Sequence, residues 1–302
     1  MTELRFDGRV AVITGGGRGL GAAYARLLAA KGCKVVVNDL GAPIKGDGND
    51  ASVAQQLVDE IVAAGGEAVA DTHSVATPES AQAIVQTALD AYGKVDILIY
   101  NAGNVRYGTI RELSFEDFQS VIDVHLMGAF YMVKAVHPLM CDAGYGRIVL
   151  TSSIGGIYGN NRCVNYGISK SGMIGLSNIA ALEGEAFDVK SNVIVPSAVT
   201  RMAEGLDISQ YPPMEPELVS PTVAWLAHER CDVSGEMIAA IGGRIARAFI
   251  AETKGVYQPS WTIEEVDQAM AQVHDKSDLQ DFGLHGHVDH IMYSFDMARK
   301  GG

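Results

Sequence analysis

Tyr166 and Lys170 stand four residues apart in the segment Tyr166-Gly-Ile-Ser-Lys170, and Ser153 precedes the tyrosine by 13 residues. Positions i and i+4 share a helix face, so this spacing sets an ammonium beside a phenol. A phenol with a pKa of about 10 is a poor base at neutral pH. A neighbouring cation favours its ionised form. Bringing that pKa to about 7 takes roughly 4 kcal/mol of differential interaction. A serine hydroxyl from a nearby strand end would hold a substrate oxygen beside the phenol. Such a set moves a proton to or from an alcohol or a carbonyl. The pair alone does not establish this, because a tyrosine and a lysine at this spacing also occur as an exposed surface pair.

A second group of residues suits an anionic ligand. Val10-Ala-Val-Ile-Thr14 reads as a buried strand that runs into Gly15-Gly16-Gly17-Arg18-Gly19-Leu20-Gly21 and then a helix. Glycines allow positive φ and close backbone approach. A helix N-terminus offers free N–H groups to a pyrophosphate. The spacing is G-x-x-x-G-x-G through Gly15, Gly19 and Gly21, and it reads as a dinucleotide loop. Asp39 ends the second strand 18 residues beyond Gly21, where a carboxylate meets an adenosine ribose. It accepts hydrogen bonds from ribose hydroxyls and repels a 2′-phosphate. Neither Asn38 nor Leu40 is basic, so NAD is expected rather than NADP, with Arg18 alone pulling the other way.

The elements that must position these groups alternate along the chain. Strands are expected at 10–14, 33–39, 67–74, 95–100, 147–152, 191–195 and 236–241. Helices are expected at 18–31, 49–64, 78–92, 115–143, 165–185 and about 217–227. Continuously apolar strands separated by helices imply a parallel sheet covered on both faces. The fold class is therefore α/β, an open, doubly wound, Rossmann-like sheet of about seven strands. Residues 1–247 form this domain. Residues 248–302 are a polar extension with a helix at 263–273, expected to pack on the same domain.

Composition narrows the partners. Of 302 residues, 48% are hydrophobic and 20% charged, and the net charge of −13 comes with no basic cluster. Nucleic acid and anionic membranes are therefore excluded as expected partners. The four cysteines, Cys33, Cys141, Cys163 and Cys231, show no framework or C-x-x-C spacing and fit a reducing cytoplasm. No signal peptide is expected from the first residues. No apolar run reaches the ~18 residues of a membrane span, and the terminal Lys300-Gly-Gly is not a peroxisomal address. His285, His287 and His290 lack a carboxylate framework, so no metal is expected.

Together the motifs resemble the short-chain dehydrogenase/reductase family over residues ~7 to 247. They run in the family's order: the glycine loop, Asp39, Asn101-Ala102-Gly103, Ser153, then Tyr166 with Lys170. A closer resemblance is to the dehydrogenase domain of D-bifunctional proteins and their bacterial single-domain relatives. It rests on residues 37–41, the insert 44–48, Val-His-Leu-Met-Gly at 124–128, Ile157-Tyr-Gly-Asn160 and a tail with Trp261. The resemblance implies NAD-dependent oxidation of a (3R)-hydroxyacyl-CoA, or of a free steroid, by a homodimer or homotetramer. It implies Ser153, Tyr166 and Lys170 as the catalytic set. Further cofactor contacts are implied at Gly15, Arg18, Gly19, Leu20, Gly21, Asp39, Ser74, Val75, Asn101, Ala102, Gly103, Pro196 and Thr200, beside Tyr166 and Lys170.

Three positions depart from the family pattern. Tyr100 stands where an asparagine often precedes Asn101. Pro196-Ser197 replaces Pro-Gly. His125 occupies the position of a relay asparagine, so it is expected either to serve a proton relay or to be an interior hydrogen-bonded histidine. Met173 and Met202 are expected near an apolar substrate pocket. Arg106, Arg162 and Arg201 are expected in loops that could meet an anionic substrate. Gly172, Gly175, Ala180 and Ala181 are expected on a dimer face. The competing functional class is a non-catalytic NAD-binding regulator, against which the complete Ser153, Tyr166 and Lys170 set argues.

Overall fold

In the computed structural model, residues 3–43, 45–46, 48–199 and 212–301 are described. Ile44, Thr200, Arg201 and Met202 lie outside them. The first unit, 1–247, is built on strands β1 (Val10–Thr14), β2 (Lys34–Asn38), β3 (Glu67–Asp71), β4 (Ile97–Tyr100), β5 (Gly146–Thr151), β6 (Val189–Ser197), β7 (Met237–Ile241) and β8 (Arg244–Ala248). Their order is β3-β2-β1-β4-β5-β6-β7-β8. The first seven are parallel. The expected seven strands thus become eight. Gly242 and Gly243, at φ 54° and 80°, make a two-residue turn that folds β8 back beside β7.

Helices α1 (Gly19–Ala30), α2 (Ser52–Ala63), α3 (Pro78–Tyr92), α4 (Phe115–Ile122), α5 (Gly128–Ala143), α6 (Ile154–Tyr158), α7 (Val164–Gly184) and α8 (Ser220–Leu226) flank the sheet. Both sheet faces are buried, and β1 shows how. Ala11 and Ile13 point into a core with Leu28 and Leu57 from α1 and α2. Val10 and Val12 point into the other, with Ile84 and Met132 from α3 and α5. Alternate side chains serve opposite faces, so an apolar run without polar alternation is what a doubly covered strand requires.

Helix ends follow local chemistry. Thr77 caps α3 by accepting from the Ser80 N–H at 3.2 Å, Pro78 occupies the first turn, and Gly93 closes the helix at φ 77°. The expected single helix over 115–143 is interrupted. Asp123–Met127 forms a π turn between α4 and α5, where an extra residue is accommodated in the helical ladder.

Several expectations change at this level. Met173 is fully buried in the core on the α3 and α5 side, not in a substrate pocket. Gly172 meets the Leu126 side chain, and Ala180 and Ala181 are buried within the chain, leaving only Gly175 with open space beside it. Close packing inside one chain therefore explains three of the four small residues.

The second unit, 248–302, holds β9 (Glu252–Thr253), α9 (Ile263–Val273), β10 (Leu279–Gln280) and α10 (Gly286–Lys300). β9 and β10 pair antiparallel. Thr262 and Glu265 form a reciprocal cap at the start of α9. α10 was not expected from the sequence.

Candidate active site

The sheet order places β1 beside β4, so chain connections leave in opposite directions at their C-terminal ends. Such a crevice is where open α/β sheets bind ligands. A cavity of about 350 Å³ opens there.

One end of the cavity is the glycine loop. A Cβ on Gly21 would lie 2.1 Å from the Gly15 carbonyl oxygen, and Gly15 itself has φ 59°. Both positions therefore need glycine for the loop to close on itself. Thr14 ties the loop to the segment after β4: its hydroxyl oxygen accepts from the Asn101 and Ala102 N–H groups at 3.1 and 3.2 Å. The Asn101 amide donates to the Gly15 carbonyl at 3.0 Å. Asn101-Ala102-Gly103 is thus the brace of the loop. Asp39 accepts the Gly17 N–H at 2.9 Å on one carboxylate oxygen and the Gly41 N–H at 2.7 Å on the other. These bonds aim the carboxylate while each oxygen keeps acceptor capacity.

At the other end stand Tyr166 and Lys170. Asn165, fully buried, holds the start of α7. Its Oδ1 accepts the Tyr166 N–H at 2.8 Å, and its amide donates to the carbonyls of Arg106 and Asp117 at 3.1 and 3.3 Å. The Lys170 ammonium donates to the Thr151 carbonyl at 2.7 Å, and Ser152 donates to the Lys170 carbonyl at 2.7 Å. α6 crosses α7 closely, since a Cβ on Gly156 would lie 2.6 Å from the Lys170 Cβ. Ser153 starts α6 and accepts the Gly155 N–H at 3.1 Å.

Electrostatics correct one expectation. Burial pushes the Tyr166 phenol above its ordinary pKa, and the hydrogen bond with Ser153 only partly opposes this. Burial also brings Lys170 down from 10.5 to about 7. Its nitrogen lies 5.6 Å from the Tyr166 ring centre. The protein's own groups therefore do not yet depress the phenol. With one acceptor for three N–H donors, Lys170 gains charge when a ligand brings further acceptors.

His125 is 1% exposed. Its Nε2 lies 3.0 Å from the Asn104 N and 2.8 Å from the Asn104 O. Its ring stands edge-on to Tyr166 at 5.4 Å. Burial, and then the Lys170 charge, hold its pKa well below the usual imidazole value, so it is neutral.

Of the residues expected at the cofactor, Gly15, Arg18, Gly19, Leu20, Asp39, Ser74, Val75, Asn101, Ala102, Gly103, Tyr166, Lys170 and Pro196 line this cavity, and His125 does too. Gly21 packs beneath the loop, and Ser153 stands beside Tyr166 without lining the cavity. Asn104, Thr151, His73, Ala42, Pro43 and the insert residue Gly46 line it without having been expected. Arg106 and Arg162 pair with Asp117 at 3.0 Å and Glu112 at 3.3 Å. Among the described residues no group of three or more His, Cys, Asp or Glu could hold a metal ion.

The donor set fits a dinucleotide. The N-cap of α1, Arg18, makes no side-chain cap, leaving first-turn N–H groups for an anion. Thr151 Oγ1, Asn104 Oδ1 and His125 Nδ1 are buried at the cavity without a partner among the described residues. Polar ligand atoms or water would satisfy them.

A family model described as short chain dehydrogenase matches residues 9–207. The peroxisomal multifunctional enzyme type 2 of Drosophila melanogaster is 46% identical over 288 residues, 93% of this chain and 48% of that protein. The chain thus spans about half the length of that relative. A short-chain type dehydrogenase/reductase of Mycobacterium tuberculosis is 38% identical over 275 residues, covering 89% of this chain and 95% of that protein. The crystal structure of a short chain dehydrogenase from Mycobacterium avium superposes with a TM-score of 0.76 at 38% identity, covering 88% of this chain and 94% of that one.

Proposed function

The chain belongs to the short-chain dehydrogenase family, and from that premise we propose that this oxidoreductase uses NAD to oxidise the hydroxyl of a (3R)-hydroxyacyl-CoA. One arrangement carries the reading: Tyr166, Lys170, the glycine loop and Asp39 line a single cavity. A nicotinamide dinucleotide bound there supplies the hydride acceptor. The glycine loop and the first turn of α1 would hold the pyrophosphate, Asp39 the adenosine ribose, and Lys170 the nicotinamide ribose. Tyr166 takes the proton from the substrate hydroxyl, and Ser153 positions that oxygen. Neutral His125 holds the Asn104 backbone, and its Nδ1, without a partner among the described residues, is the atom available to a proton relay.

The acyl-CoA assignment draws on the D-bifunctional resemblance and on relatives named peroxisomal multifunctional enzyme type 2. A free hydroxysteroid is the second reading, because it needs only an apolar slot and one hydrogen-bonded oxygen. We propose a homodimer or homotetramer, with the exposed Ile168, Ile179 and Leu182 of α7 available for apolar contact. A cytoplasmic setting is supported by four free cysteines. Among the described residues no helix is long and apolar enough to cross a membrane.

The cofactor assignment has a direct test. Asp39 repels a 2′-phosphate, so kcat/KM with NAD exceeds that with NADP by about tenfold or more, the equivalent of about 1.4 kcal/mol. Equal values, or a preference for NADP, remove Asp39 as the selecting group. Tight NADH binding without turnover of any secondary alcohol favours the regulator.

A further inference from the structure

Tyr100 ends β4 with its ring 0% exposed, directly before the brace Asn101-Ala102-Gly103. Its hydroxyl donates to the Val124 carbonyl, inside the π turn. Burial keeps this phenol protonated, so it acts as a donor. The helix opposite is shaped to receive it: a Cβ on Gly128 would lie 2.3 Å from the Tyr100 hydroxyl. The π turn is marked by the Gly128 N–H reaching back to the Asp123 carbonyl. His125 sits at its centre, with its ring where a Cβ on Gly103 would be, 2.4 Å from His125 Cε1. From α7, Gly172 makes room for Leu126 of the same turn. The turn is thus held by the sheet through Tyr100, by the loop after β4 through Asn104, and by α7 through Gly172.

We propose that Tyr100 is a positioning residue: its hydrogen bond to Val124 fixes the π turn, and so sets His125 between the Asn104 backbone and Tyr166. The two cavity-lining residues Val124 and His125 are held from behind by a side chain that does not itself line the cavity. A phenylalanine at 100 keeps the ring and removes only the donor, leaving the part-buried Val124 carbonyl without it. Loss of that bond removes one of the three holds on the turn. The kinetic part of this inference rests on the dehydrogenase reading above; the placement of His125 does not.

The test compares the full chain with Tyr100→Phe in two ways. Nitrogen-15 spectra of the histidine rings, with His125 assigned through His125→Asn, read the placement without turnover. Steady-state kinetics on a secondary alcohol oxidised by the parent read its consequence. The His125 ring resonances shift, kcat falls about tenfold, and both KM for NAD and the Kd for NADH stay within about twofold. Gly128→Ala, which displaces the same hydroxyl from the other side, gives the same pattern and serves if Tyr100→Phe does not fold. Unmoved His125 resonances in a folded variant overturn the proposal, even if Tm falls, because Tyr100 is then only a core residue. Shifted resonances with an unchanged kcat also overturn it, because the positioning then has no bearing on the reaction. If the parent oxidises no alcohol, the dehydrogenase reading fails and the resonances alone decide the placement.

Discussion

Tyr166→Phe lowers turnover by at least about a hundredfold while the fold and NADH affinity persist. The substitution removes one oxygen from a side chain whose ring contacts are otherwise kept, including the edge-on contact with His125 at 5.4 Å. The backbone of residue 166 remains fixed by the Asn165 side chain at 2.8 Å. What is lost is the group proposed to accept the substrate proton, and with it the partner of Ser153. Measuring kcat beside Tm and the NADH Kd separates the two effects. Turnover retained in a folded variant rules out Tyr166 as the base.

Lys170→Met abolishes most turnover, again by about a hundredfold or more, and at the same time raises Tm at neutral pH. The second effect follows from burial. Lys170 falls from 10.5 to about 7 in the folded chain, which corresponds to on the order of 5 kcal/mol of disfavoured charging. Between those two values the unfolded chain binds more protons, so stability rises with pH across the window. The penalty is fully present below about pH 7 and is gone above 10.5. Methionine removes it, so the Tm gain over the parent is largest near neutral pH and shrinks toward pH 10. The lost bond to the Thr151 carbonyl offsets part of the gain. Any residual activity requires higher pH, because the cation that favours the phenolate is missing. A variant less stable than the parent at pH 7, or one with near-parent turnover, contradicts this role.

Much of the scaffold was legible because local chemistry and tertiary demand agree. The 78–92 helix carries its cap, its first-turn proline and its closing glycine in sequence. The valine-rich strands betray a sheet buried on both faces. What escaped detection lacked such agreement. β8, Arg-Ile-Ala-Arg-Ala, carries arginines that read as loop, yet charge suits an exposed edge strand. α10 begins at His285 without a side-chain cap. The π turn was invisible because its residues keep a helical pattern, and only the Tyr100 hydroxyl and Gly128 reveal the change of ladder.

At the site, the motif residues were readable from spacing, since glycine loop, Asp39, Tyr166 and Lys170 are fixed by their distance from strand ends. Their supports were not. Asn165, Thr14 and Asn104 act through main-chain partners 20 or more residues away in several cases, such as Asn165 with Arg106, and no local pattern marks them. The ionisation states also lay beyond the sequence. Spacing pairs Lys170 with Tyr166, but only burial shows that the lysine is brought down to about 7 and the phenol raised within the protein's own field.

The central claim is NAD-dependent oxidation of a 3-hydroxyacyl thioester, and competition between two alcohols tests it most directly. NADH formation is followed from a (3R)-hydroxyacyl-CoA and from a free 17-hydroxysteroid, each alone and in mixture, with NAD as the acceptor. The account predicts a higher kcat/KM for the acyl-CoA, with steroid oxidation suppressed in the mixture. Turnover of the steroid with no detectable oxidation of the acyl-CoA would contradict it and reassign the chain to a hydroxysteroid substrate.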